Sequence, residues 1–235
     1  MGMPFKTSDP YGPGLDPMEL AELYGLVGKY EEAESLYLKS LAETEKEFVR
    51  NQKVVADALI RVAKFYTSHG KNEGATTLYQ RAASIWEKEL TDKENSRGPK
   101  HPDVAEPLLK LADIYRTQGR DAQAAPLYER ALQLRLGEVH WSSLNQINLR
   151  AVEPLTTLAT IYKNQGKSEE AERLYDKLVE LFKWNARANE AMYGREYPDI
   201  IRKALERNAA LLREIGRTRE AESMEEKARS IVSGG

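Results

Sequence analysis

The chain has 235 residues, 41% of them hydrophobic and 31% charged, with 35 Lys and Arg against 37 Asp and Glu for a formal net charge of −2. A near-neutral chain without a basic block is expected to bind neither nucleic acid nor an anionic membrane surface through charge. It contains no cysteine, which excludes disulfides, thiolate metal sites, cysteine nucleophiles and palmitoylation.

Residues 1–15 hold Pro4, Pro10, Gly12, Pro13 and Gly14 and read as an extended, flexible N-terminal arm. The arm lacks the apolar core of a signal peptide, and no run in the chain approaches the roughly 18 to 20 apolar residues of a membrane span. The expected location is therefore cytoplasmic; a mature exported domain whose leader has been removed is the alternative. Met1-Gly2 resembles a myristoylation start, but Lys6 stands where that motif needs Ser or Thr.

The first helix is predicted to start at Asp16-Pro17-Met18-Glu19, where Asp caps free amides and Pro17 fits the first turn. From there one pattern is written five times. Gly28, Gly70, Gly119, Gly166 and Gly216 each have alanine seven residues before (Ala21, Ala63, Ala112, Ala159, Ala209) and five after (Ala33, Ala75, Ala124, Ala171, Ala221). The first four also have tyrosine four before (Tyr24, Tyr66, Tyr115, Tyr162) and nine after (Tyr37, Tyr79, Tyr128, Tyr175). Each glycine closes a helix A in a left-handed conformation, and a helix B follows. The paired alanines let the two helices approach closely, and the tyrosines fill the space between layers. A unit of this kind buries its apolar face only by stacking on its neighbours. The glycines are 42, 49, 47 and 50 residues apart, so insertions fall between constant cores.

The repeats are placed at about 16–48, 56–90, 102–136, 150–184 and 198–232, giving a single solenoid over 16–232 followed by a tail at 233–235. Repeat five departs from the pattern: Asn208 replaces an aliphatic residue, Leu212 the first tyrosine and Glu225 the second. Those changes suit a helix with no further layer beyond it.

Leu-Ala-Glu-Leu-Tyr at 20–24, Leu-Ala-Asp-Ile-Tyr at 111–115, Leu-Ala-Thr-Ile-Tyr at 158–162 and Ala-Pro-Leu-Tyr-Glu-Arg-Ala-Leu at 125–132 resemble the tetratricopeptide repeat (TPR) family. The segment His101-Pro102-Asp103-Val104-Ala105, echoed by Tyr197-Pro198-Asp199-Ile200, resembles its kinesin-light-chain-like subgroup. The resemblance implies an all-α, right-handed α-α superhelical solenoid of about five TPR helix pairs. It also implies a non-catalytic adaptor or scaffold that binds a peptide or protein segment in a concave groove lined by helix A. A ligand-responsive TPR regulator or peptide sensor is one alternative, and a non-catalytic subunit of an enzyme complex another.

The groove positions are then Ile60, Arg61 and Lys64 in repeat two; Leu109, Lys110, Asp113 and Arg116 in repeat three; Thr156, Thr160, Lys163 and Asn164 in repeat four; and Arg207 in repeat five. Met18, Glu19 and Glu22 take the corresponding offsets in repeat one. The cations with Ile60 and Leu109 would suit a segment bearing acidic and apolar residues; a solvated face of paired charges is the competing reading. Two devices of the family are missing. The clamp for chaperone C-termini needs lysine and asparagine at positions held here by Met18, Glu22, Arg61, Glu106 and Lys110, of which only Lys110 carries the required kind of charge. Ile60-Arg61, Leu109-Lys110 and Thr156-Thr157 replace the subgroup's paired asparagines. Neither ligand class is carried over.

Trp141, in the predicted loop after repeat three, is a candidate aromatic anchor for a partner. His69, His101 and His140 stand at no metal-ligand spacing, and no phosphate loop, dinucleotide fingerprint or nucleophile elbow occurs. No enzyme activity, cofactor or metal is expected, and the partner is a protein or peptide, with the chain a monomer or weak homo-oligomer.

Overall fold

A computed structural model of the chain describes residues 16–137, 149–193 and 198–232. Among the described residues the secondary structure is helical: α1 (Pro17–Leu26), α2 (Tyr30–Glu47), α3 (Gln52–Ser68), α4 (Asn72–Arg97), α5 (Ala105–Thr117), α6 (Asp121–Gly137), α7 (Leu149–Asn164), α8 (Ser168–Tyr193), α9 (Pro198–Glu214) and α10 (Thr218–Val232). A 3-10 turn at Pro102–Val104 leads into α5, and the His101 side chain caps it by accepting from the Asp103 amide at 3.2 Å. Asp16 caps α1 by accepting from the Met18 amide at 3.1 Å, with Pro17 in the first turn as expected. The odd-numbered helices are the A helices and the even-numbered ones the B helices of five pairs. A turn of a few residues within each pair makes its two helices antiparallel neighbours.

The five glycines adopt φ between 71° and 82°. At each one a Schellman closure ends helix A. In the first, the Gly28 amide donates to Gly25 O at 3.2 Å and the Lys29 amide to Tyr24 O at 2.9 Å; Lys71, Arg120, Lys167 and Arg217 repeat the second bond to Tyr66, Tyr115, Tyr162 and Leu212. All ten pattern alanines are buried, none more than 3% exposed, so each pair meets through methyl groups. The insertions of repeats two and four are absorbed by lengthening helix B: α4 and α8 run 26 residues, against 18 for α2 and 17 for α6. The insertion of repeat three falls at 138–148, outside the described residues.

The chain packs as two units. One comprises residues up to Asp92 with 117–119; the other holds 93–116 and 120 onward. In the first, Phe65 of α3 packs on Tyr37 of α2, their ring centroids 4.9 Å apart, while Val62, Ala63, Tyr79 and Trp86 are buried. The second has a continuous core through α5 to α10 that includes Tyr128, Leu155, Leu158, Tyr175, Leu178, Leu205 and Met224. Met18 differs from the sequence expectation. It is buried rather than presented on the open face of α1.

Candidate functional site

In the second unit the A helices of repeats three and four border a cleft of about 370 Å³. Helix α5 contributes Glu106, Leu109, Lys110 and Asp113; α6 contributes Tyr128 and Arg135; α7 adds Glu153 and Pro154. Residues 109, 110 and 113 share the cleft because i, i+1 and i+4 on a helix lie along one edge of a face. Leu109 and Lys110 are half-buried there.

The cleft balances charge. Lys110 and Arg135 face Glu106, Asp113 and Glu153, so the cations expected along the groove are balanced here by carboxylates from both A helices. Glu106 is engaged by Lys93, whose Nζ lies 3.3 Å from its Oε2. The buried Tyr128 hydroxyl donates to Asp113. Burial first, and the adjoining Asp113 carboxylate second, raise the Tyr128 phenol well above its ordinary range, while Arg116 pulls the other way. Asp113 is thus held at the cleft wall by a neutral phenol, with a guanidinium on the same patch.

The remaining sequence-predicted residues distribute differently. In the first unit the Arg61 guanidinium is bound by Glu22 Oε1 at 2.9 Å and Asp16 Oδ2 at 3.2 Å, which makes it part of a three-residue charge cluster. Ile60 is half-buried beside it in sequence, and Lys64 is exposed. Thr156 and Thr160 turn their hydroxyls back to Val152 O and Thr156 O, both at 2.9 Å, and do not line the cleft. Lys163 and Asn164 are exposed at the end of α7. The Arg207 side chain and Trp141 lie outside the described residues. Among the described residues no group of His, Asp and Glu is placed to hold a metal ion, and no helix is long and apolar enough to cross a membrane.

Two features of these surfaces escaped the sequence reading. Arg135 enters the cleft from the far end of helix B, which an A-helix offset rule does not sample. The second is a column of cations one residue after each glycine: Lys29, Lys71, Arg120, Lys167 and Arg217. The Schellman closure sets this residue against the one five before it. Lys29, Lys71, Arg120 and Lys167 accordingly stand over the rings of Tyr24, Tyr66, Tyr115 and Tyr162 at 5.3, 5.4, 4.5 and 5.0 Å. The signal was present as a fixed basic column beside the glycines.

Several of these groups grip a carboxylate of the preceding helix B. Lys71 Nζ lies 2.5 Å from Glu34 Oε2, and Glu34 also bonds Tyr66. The Tyr162 hydroxyl donates to Glu129. Arg217 reaches Glu172 at 2.8 Å and Asp176 at 2.6 Å.

Comparison with known proteins agrees with this architecture. Tetratricopeptide repeat profiles match residues 18–48, 55–103, 88–136 and 152–183. No match was found among curated proteins. Similar solved structures include the nearly identical TPR-like repeats of a putative kinesin light chain from Podosopora anserina (20% identity, 92% of this chain and 93% of that chain, TM-score 0.49). BtubC (BKLC) from P. vanneervenii is another (17%, 91% and 77%, TM-score 0.45), as is the apo form of the quorum sensor NprR from B. thuringiensis (18%, 92% and 64%, TM-score 0.44). The glycine turns, the ten buried alanines and the matching profiles make this chain a member of the tetratricopeptide repeat family.

Proposed function

We propose that the chain is a non-catalytic scaffold that binds a protein or peptide segment along its helix A faces, with the cleft around Leu109, Lys110 and Asp113 as the principal contact. The observation that carries this reading is the cleft itself: an apolar floor at Leu109 and Pro154 framed by two cations and three carboxylates. A segment with one apolar anchor flanked by residues of both charge signs complements it. The packed repeats shape the surface before binding, so little ordering cost falls on the protein. Such a surface offers recognition groups, and the hydroxyl–carboxylate contact on its wall, Tyr128 to Asp113, is a buried phenol held neutral, which favours binding over turnover.

Selection of a random 12-residue peptide library against the full chain tests the reading. Enriched peptides should carry an apolar residue flanked by both charge signs. Their affinity should fall about tenfold or more for Leu109→Asp or Lys110→Glu, a loss typical of a central contact, with unchanged circular dichroism. Peptides that bind wild type and both variants equally would remove the cleft as the site.

A further inference from the structure

Repeat one is open on the side where every later A helix has a predecessor among the repeats. Five residues before the glycine, Phe65 of repeat two is 7% exposed and Ile161 of repeat four 3%, whereas Leu23 of repeat one is 47% exposed. Phe65 is covered by the preceding pair: Tyr37 of α2 stacks on it, and a Cβ at Gly25 of α1 would lie 3.7 Å from its ring. Leu23 has no such layer among the described residues. Beside it, Leu26 is 83% and Val27 70% exposed. The next three repeats place Ser68 and His69, Thr117 and Gln118, and Asn164 and Gln165 at those two positions. Residues 19, 22, 23, 26 and 27 follow the i, i+3, i+4, i+7, i+8 rule, so Leu23, Leu26 and Val27 form one apolar stripe, with Glu19 and Glu22 extending it toward the start of α1.

The same edge carries Lys29 over the Tyr24 ring. At the equivalent place in repeat two, Lys71 and Tyr66 hold Glu34 of the preceding helix B; in repeat five, Arg217 holds Glu172 and Asp176. The held carboxylates sit six or ten residues after their own repeat's glycine. Glu34 and Glu172 are each followed three residues later by a buried tyrosine, Tyr37 and Tyr175, and seven later by Leu41 and Val179. An A-helix edge of this type is therefore complementary to a helix reading carboxylate, aromatic three on, aliphatic seven on.

We propose that the exposed edge of α1, made of Leu23, Leu26, Val27 and Lys29, is a second docking surface that receives one amphipathic helix of that pattern from another protein. The helix takes the place that a preceding helix B holds at repeats two and five. A second copy stacking head to tail is disfavoured by its own α10, which offers Glu225 and Arg229 where α8 offers Tyr175 and Val179. Leu23, the counterpart of Phe65, would then meet Glu225, the counterpart of the Tyr37 that stacks on Phe65.

The probe is a fluorescein-labelled, lactam-bridged helical peptide with the sequence of residues 168–181, titrated into the full chain by anisotropy. Saturable binding is expected. It should weaken about tenfold or more for Leu26→Ser/Val27→Ser, which removes two of the three exposed apolar side chains of the edge. Lys29→Gln, or Glu172→Gln in the peptide, should weaken it about two- to fivefold, as for a half-exposed ion pair. Leu109→Asp should leave it unchanged, which separates this surface from the cleft. Circular dichroism confirms that each variant is folded. Absence of binding, or binding indifferent to the Leu26/Val27 change, overturns the proposal. Binding that appears only after removal of residues 1–15 overturns it in favour of the chain's own arm. A concentration-dependent mass increase of wild type, abolished by Leu26→Ser/Val27→Ser, overturns it in favour of a second copy.

Discussion

Asn208 occupies the position eight residues before the glycine, which Val62, Leu111 and Leu158 fill in repeats two to four. It is 3% exposed, and its Nδ2 is buried without a hydrogen-bond partner. Leu205, Ala209 and Leu212 surround it along α9 and belong to the core of the second unit. A buried, unsatisfied amide costs about 1–3 kcal/mol, and burying a valine side chain contributes about 1.5 kcal/mol. Setting about 1 kcal/mol against this for any interaction of Oδ1 that is lost, Asn208→Val should stabilise by about 1.5–3.5 kcal/mol. Valine is the conservative choice because Val62 already fits the same position in repeat two, whereas leucine adds volume that a packed site resists. For a chain of this size the melting temperature should rise by about 2–4 °C per kcal/mol. Repeat arrays need not unfold as one step, so the local readout is hydrogen exchange: the α9 amides should slow in the valine variant and quicken in Asn208→Asp, which buries a charge. A valine variant that melts lower and exchanges faster in α9 would refute the reasoning. The amide would then be contributing a bond worth more than the apolar contact that replaces it.

Three further outcomes follow from the same physics. Tyr128 and Tyr162 have phenols raised above their ordinary value, chiefly by burial and then by Asp113 and Glu129. A raised folded-state value stabilises fully below the unfolded phenol's value of about 10 and is lost as pH rises beyond it. Wild type should therefore lose stability above about pH 10 more steeply than Tyr128→Phe, as followed by urea midpoints and tyrosinate absorbance. Gly166→Ala forces a Cβ onto φ 74° and should cost about 1–2 kcal/mol, read from the shift in denaturation midpoint. Ala112→Leu overpacks a position with no exposed surface between α5 and α6 and should cost about 1–3 kcal/mol, whereas the exposed Ala122→Leu should change stability by less than about 0.5 kcal/mol.

The helix pairs were legible because glycine, alanine and tyrosine answer to strictly local demands. A left-handed C′ residue needs glycine, a close helix crossing needs a methyl, and a layer gap needs a ring; each recurs at a fixed offset whatever the insertions do. The cleft was legible only in part. Leu109, Lys110 and Asp113 follow from one helix's periodicity, but Arg135 and Glu153 join them through the packing of three helices, which no single-helix offset encodes. Thr156 and Thr160 do not join the cleft, and each hydroxyl satisfies itself on the carbonyl four residues back. Arg61 read as a ligand-facing cation because Glu22, 39 residues earlier, lies beyond any local window.

The cation column explains how the repeats tolerate spacings from 42 to 50 residues. One contact seen between successive repeats lies at the A–B turn, where the glycine fixes the positions of the tyrosine four before it and the cation one after it. The held carboxylates lie within ten residues of the preceding repeat's glycine, on the first half of helix B. The carboxylates held by the cation column lie ahead of the stretch by which α4 and α8 extend to 26 residues, while Arg81 and Arg130, each eleven residues after its glycine, reach the later carboxylates Glu45 and Glu94 of the preceding helix B. The arrangement also makes the first repeat different in kind from the others. Among the described residues its apolar edge carries no layer, and the proposed partner helix would complete there the contact that Lys71 makes with Glu34 at repeat two.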